Sequence, residues 1–157
     1  MRKIFVTGIG TDVGKTIVAA ILTEALQADY WKPIQCGSLE LTDTERVKRL
    51  VESKQSFFHS EAYRLRTPAS PHYAAEIEEA KIHWGKLKLP ETKNTLVIEG
   101  AGGILVPFNY RGETMLDMAK NWDTEVVVVS RNYLGSINHT LLTLKILQDS
   151  GVKILGL

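Results

Sequence analysis

The segment Gly8 to Thr16, GIGTDVGKT, carries residue types that can cradle a chain of phosphates. Glycines between a strand and a helix let successive backbone N–H groups turn inward, and the positive end of the following helix adds to their pull on phosphate oxygens. Gly8, Gly10 and Gly14 supply such a turn, Lys15 can reach the β and γ phosphates as a point charge, and the Thr16 hydroxyl suits a bound Mg²⁺. The spacing departs from the general pattern: five residues separate Gly8 from Gly14, one more than usual, and Ile9 stands where the first glycine would be. The chemistry expected is binding of a nucleoside triphosphate, read as ATP with Mg²⁺.

Mg²⁺ on two phosphates calls for hard oxygen ligands, usually carboxylates at the ends of neighbouring strands. Glu99 ends the apolar run Leu96-Val97-Ile98 and precedes Gly100-Ala101-Gly102-Gly103, which puts it at the carboxyl edge of a parallel sheet, beside the phosphate loop. Asp43 is a second candidate, though it could equally cap a helix after Thr42. Lys32, near the end of a second extended run, could stabilise charge developing on a transferring phosphoryl group, or could be a lysine reaching out to solvent. Cys36 reads as a small buried thiol. In Leu134 to Thr140, LGSINHT, the free N–H groups of a helix start could hold a carboxylate or phosphate; the alternative is Ser136 as an ordinary N-cap and His139 as an exposed helix residue.

The elements that must position these groups alternate. Ile4-Phe5-Val6 is β-branched and aromatic and ends in glycines, and Lys15 to Ala28 repeats Ile, Val, Ala and Leu at helical spacing. Tyr30 to Ile34 follows as a second strand in a tight βαβ unit, with Pro33 marking its end. Thr42 to Phe58 is expected to form a polar helix with Val47, Leu50 and Val51 inward, Arg66 to Ala75 a loop running into a helix start, and Glu78 to Leu89 another helix closed by Pro90. Thr95 to Ile98 and Glu125 to Ser130 read as central parallel strands, Ile137 to Asp149 as a helix with Gly151 at its cap, and Val152 to Leu157 as one more strand. The fold expected is α/β, a doubly wound, mainly parallel sheet with helices on both faces.

Length and composition agree with this. At 157 residues, 44% hydrophobic and 24% charged, residues 1–157 make one globular domain. A formal net charge of +1 provides no field to hold nucleic acid. Cys36 is the sole cysteine, so neither an intrachain disulfide nor a thiolate cluster is available, and a reducing cytoplasm fits. The start Met1-Arg2-Lys3 leads into an apolar run that breaks at Thr7-Gly8, and no apolar span has membrane length, so neither an export signal nor a membrane segment is expected.

Taken together, VTGIGTDVGKT, WKPIQCG, ASPHYAA, VIEGAGGILVP and LGSINHTLLT resemble, in order and spacing, the dethiobiotin synthetase family of the P-loop NTPase superfamily, and the likeness runs from Phe5 to Leu157. The wider glycine spacing is a mark of that family. The resemblance implies an ATP-dependent cyclo-ligase that closes a urea ring on 7,8-diaminononanoate with CO₂, through a carbamate and its mixed anhydride with phosphate. It implies nucleotide contacts from Gly10, Asp12, Val13, Gly14, Lys15, Thr16, Ile17, Asp43, Glu99, Gly100, Ala101 and Gly102, and Mg²⁺ on Thr16, Asp43 and Glu99. Lys15, Lys32 and Thr11 would be catalytic, and Thr11, Lys32, Cys36, Pro71 and His72 would line the diamine site. Ser136, Ile137 and Asn138, from a second subunit, would receive the substrate carboxylate, which implies a homodimer. Position 36 is often a hydroxyl residue in the family, and a thiol is a weaker donor. The family continues past the last strand into an Asn-containing segment that reads adenine, and no such segment is found up to Leu157.

Two rivals share the glycine loop and parallel sheet. An ATPase switch of the chromosome-partition and division-site type carries an extra lysine near the start of its loop, where this chain has Gly8, Ile9 and Gly10. An amidoligase of corrinoid synthesis carries a glutamine-hydrolysing domain.

Overall fold

The computed structural model describes residues 1–157. Five strands belong to one parallel sheet with a sixth at its edge: β1 (Lys3–Gly8), β2 (Asp29–Trp31), β4 (Phe58–His59), β6 (Leu96–Gly103), β7 (Glu125–Val129) and β8 (Ile154–Gly156), in spatial order β4-β2-β6-β1-β7-β8. β3 (Ile34–Cys36) and β5 (Tyr63–Leu65) form a separate parallel pair. The helices are α1 (Lys15–Leu26), α2 (Asp43–Leu50), α3 (Pro71–Ile77), α4 (Met115–Asn121) and α5 (Ser136–Asp149). None is long and apolar enough to cross a membrane.

Register shows why the sheet must be covered twice. Ile4, Val97 and Tyr30 stand opposite one another on one face, and Phe5, Ile98 and Trp31 on the other, all six buried. On the first face Ile4 shares an apolar hollow with Val18 and Leu22 of α1. On the second, Trp122 at the end of α4 packs on Trp31 and Phe5, with ring centroids 5.3 and 6.5 Å apart. The sheet is thus doubly wound, as the sequence pattern predicts.

Several boundaries differ from expectation. The second strand follows α1 closely, but β6 lies between it and β1, so the βαβ unit spans a gap in the sheet. The extended run there divides at Lys32-Pro33: the Pro33 carbonyl accepts from the Ala62 and Tyr63 amides, 2.9 and 3.1 Å away, and the chain leaves one sheet for the other. The polar helix ends at Leu50, not Phe58; Val47 alone of its three apolar residues is fully buried, Leu50 is exposed, and Phe58 pairs with Tyr30 in the sheet. The helix expected over Glu78 to Leu89 is absent. α3 stops at Ile77, Glu79 takes a left-handed φ of 52°, and Ile82 and Leu87 drop singly into the core from an irregular segment. α4, which carries no strong sequence signal, begins at a box in which Thr114 and Asp117 bind each other's ends.

Candidate active site

β1 ends at Gly8, and the loop to α1 crosses the carboxyl edge of the sheet, where doubly wound folds bind ligands. Gly8 is required: a Cβ there would lie 2.6 Å from Cγ2 of Val13, whose side chain is tucked under the loop. The loop passes through φ 56° at Asp12 and 103° at Gly14 and so turns into the helix. Lys15 is buried and its Nζ donates to the Gly10 carbonyl at 2.8 Å, closing the loop on itself. Burial, followed by the nearby charge of Lys32, lowers its pKa to about 8, against the opposing pull of Glu99, Asp43 and Asp12.

Beside this loop five side chains meet. Glu99 on β6 is 1% exposed and Lys32, just past β2, is 5% exposed, so their 2.8 Å ion pair is shielded from water. Oε1 of Glu99 also accepts from the Thr16 hydroxyl at 2.9 Å, and Oε2 accepts from the Tyr30 phenol at 2.8 Å. Lys32 reaches Asp43 at 2.8 Å and the Gly100 carbonyl at 3.2 Å. Burial alone would depress the Lys32 pKa, but Glu99 and Asp43 outweigh it and hold it above the ordinary lysine value. Asp43 is held low in turn: burial pushes it up, and the Lys32 charge, aided by Arg46 and Thr16, overrides that. Burial and then the Glu99 charge raise the Tyr30 phenol well above its usual pKa, so it is a donor at neutral pH.

The two readings of Asp43 separate here. Thr42 caps α2 in a reciprocal box with Glu45, its hydroxyl accepting from the Glu45 amide at 3.3 Å while the Glu45 carboxylate accepts from the Thr42 amide at 2.7 Å. Asp43 is thereby left to face Lys32. Lys32 itself is buried among carboxylates and does not reach out to solvent.

Two hollows open on this cluster. One, of about 570 Å³, is lined by Asp12, Gly14, Lys15, Thr16, Ile17 and Asp43, together with Ser38, Arg46 and Arg49. The other, of about 480 Å³, is lined by Thr11, Asp12, Lys32, Cys36, Pro71, Ala101 and Gly102. Ala101 and Gly102 thus face the second hollow, on the Lys32 side. His72 turns from it: its ring Nδ1 lies 3.3 Å from the Pro107 carbonyl, in a different hollow with Ala75 and Asn109. Burial pushes the Cys36 thiol up to about 12, so it is neutral. Ser136, Ile137 and Asn138 open α5 and line neither hollow of their own chain. Ser136 is buried without capping the helix, whose N-cap is Gly135, and Ile137 is 77% exposed.

The residues that sequence reading passed over are Tyr30, Ser38, Arg46 and Arg49. Tyr30 stands two positions before Lys32, hence on the same face of an extended run, and Arg46 stands three after Asp43, hence beside it on a helix. Both spacings were available as signals.

A glycine loop from the first strand of a parallel sheet into a helix, closing over a buried Lys and presenting a Thr hydroxyl to a carboxylate midway along the neighbouring strand β6, defines a P-loop nucleotide-binding domain. Residues 2–157 match the family model described as an AAA domain. The chain is 53% identical to the ATP-dependent dethiobiotin synthetase BioD of Christiangramia forsetii over 99% of its own length and 74% of the relative's. It is 50% identical to the protein of that name from Cytophaga hutchinsonii, over 100% and 76%, and 44% identical to the one from Chlamydia pneumoniae, over 100% and 70%. The chain belongs to the ATP-dependent dethiobiotin synthetase family, enzymes of the ligase class.

Proposed function

We propose that this protein closes the ureido ring of dethiobiotin on 7,8-diaminononanoate, using CO₂ and ATP. One amine adds to CO₂ and loses a proton to give a carbamate. A carbamate oxygen attacks the γ phosphorus, the bond to ADP breaks, and a carbamic-phosphoric anhydride forms. The second amine then attacks the carbonyl carbon, loses its proton and expels inorganic phosphate as the ring closes.

The observation that carries this reading is the buried Lys32 between the phosphate loop and the Thr11–Cys36–Pro71 hollow, with Glu99 and Asp43 on its Nζ. Phosphoryl transfer depends on positioning and charge neutralisation more than on proton transfer. In this reading the loop from Gly10 to Thr16 and Ile17 holds the triphosphate, Lys15 neutralises its β and γ oxygens, and Lys32 neutralises the carbamate and the moving phosphoryl group. Thr11 and the neutral Cys36 contact the diamine, and Pro71 walls its hollow.

Thr16, Asp43 and Glu99 offer a hydroxyl and two carboxylates: both carboxylates meet the Lys32 nitrogen, and the Thr16 hydroxyl donates to Glu99 Oε1. No cluster of three or more His, Cys, Asp or Glu side chains exists to cage a metal alone. The set nonetheless suits Mg²⁺, which takes one or two carboxylates and leaves its other positions to water and phosphate. When bound it would screen charge on the β and γ phosphates. Thr16, Asp43 and Glu99 would hold it, and Lys32 would remain beside them as the second cation.

A homodimer completes the site. Ile137, Leu141 and Leu142 of α5 are each at least 60% exposed, an apolar surface of the kind a partner covers, and the helix start at Ser136, Ile137 and Asn138 would meet the substrate carboxylate across that contact.

Oxygen labelling tests the chemistry. With ¹⁸O-bicarbonate, the released phosphate is expected to carry label, because the carbamate oxygen that attacks phosphorus leaves with it. Unlabelled phosphate alongside labelled product would overturn the carbamate phosphorylation step.

A further inference from the structure

We infer that Tyr30 is a positioning residue that leaves Glu99 a single oxygen, Oε1, to offer a divalent cation, and so favours Mg²⁺ over the larger Ca²⁺. The inference rests on the magnesium reading above.

The register of two neighbouring strands produces the arrangement. Tyr30 pairs with Val97, and Lys32 and Glu99 each lie two residues further along, so all four side chains share one face of the sheet. The phenol of Tyr30 therefore reaches diagonally across the strands to Glu99. Tyr30 is fully buried, and its ring rests against Phe58, the residue paired with it on the other side, at 6.4 Å between centroids. Burial on all sides holds the Tyr30 ring in place.

The two oxygens of Glu99 consequently have different surroundings. Oε1 faces Thr16 and Lys32, whereas Oε2 accepts from Tyr30 inside the core. A carboxylate that turned to offer both oxygens to one ion would break the phenol bond and leave a buried hydroxyl without a partner. Ca²⁺ readily takes both oxygens of a carboxylate and tolerates seven or eight ligands, roughly, whereas Mg²⁺ keeps octahedral geometry and takes one oxygen per carboxylate. A fixed, one-oxygen Glu99 suits the smaller ion.

The test is the ratio of Ca²⁺ to Mg²⁺ affinity in the presence of ADP, read by displacement of Mn²⁺ in electron paramagnetic resonance. Tyr30→Phe should move that ratio about tenfold toward Ca²⁺, and in a Glu99→Gln background the same substitution should move it no further. An unchanged ratio with a lowered Tm would make Tyr30 a core residue only and overturn the inference. If Glu99→Gln alone leaves Mn²⁺ affinity unaltered, the magnesium reading itself fails and takes the inference with it. A second measurement needs no Tyr30 variant: infrared difference spectra of ¹³C-glutamate-labelled protein on adding Mg²⁺ and ADP, with Glu99→Gln to assign the band. The wide carboxylate splitting of one-oxygen ligation is expected, and the narrow splitting of two-oxygen ligation would contradict it.

Discussion

Lys32 is tied to two carboxylates, one of them shut off from water, so its charge cannot be removed without consequence for both. Lys32→Gln keeps a donor at the end of a shorter side chain and deletes the charge. Turnover is expected to fall about a hundredfold or more while ATP affinity, set by the phosphate loop, changes little. Equilibrium binding set beside steady-state rates checks this, and a loss confined to affinity would assign Lys32 to binding instead. Cys36 gives an independent check on the polarity of the hollow it shares with Thr11 and Pro71. A thiol pushed up to about 12 by burial holds far less thiolate at pH 8 than a free cysteine, so alkylation by iodoacetamide should run roughly a thousandfold slower than for a free thiol. Labelling followed by mass spectrometry measures it, and a rate near that of free cysteine would mean a wetter hollow than this one.

The elements hold together partly through one carboxylate at the foot of β2. Asp29 accepts from Thr92 at 2.6 Å, Asn94 at 2.9 Å and the Phe57 amide at 2.9 Å, pinning two irregular segments to the sheet. Burial alone would raise its pKa, but these hydrogen bonds prevail and lower it. A carboxyl whose folded pKa lies below its unfolded value, about 3.9, contributes stability above that value and loses it as pH falls through the folded pKa. Asp29→Asn should therefore cost about 1–3 kcal/mol at pH 7, with the gap to wild type narrowing below pH 4. Urea unfolding at the two pH values tests this, and a constant gap would remove Asp29 from the acid limb. The same scale explains what could be read from sequence. β1, α1, β7 and α5 are each a sustained apolar pattern, and each occurs where that pattern lies, whereas β6 starts on its apolar run but continues through Glu99 and the glycines to Gly103. β3, β4 and β5 have two or three residues and leave no periodicity to find. Over Glu78 to Leu89, Ile82, Trp84 and Leu87 meet the core one at a time, so tertiary contacts decide a segment that local preference would make helical. Lys32, Asp43 and Glu99 were visible as residue types, but Lys32 and Glu99 lie 67 positions apart, and only the strand register joins them through Tyr30.

At the scale of the whole molecule, the apolar face of α5 and the enzyme chemistry come together. If a partner covers Ile137, Leu141 and Leu142, then Leu141→Glu should yield monomers by sedimentation and raise KM for the diamine more than KM for ATP, because the phosphate loop lies within one chain. A variant that remained dimeric, or that lost ATP binding equally, would contradict that placement of the interface. The ring-closing reaction is tested most directly by ADP release from ATP and Mg²⁺, measured with the diamine and bicarbonate omitted singly and together. Turnover is expected only when both are present, with ADP and ring product accumulating in equal amounts. Turnover on ATP alone, unmoved by adding either, would contradict the ring-closing reading.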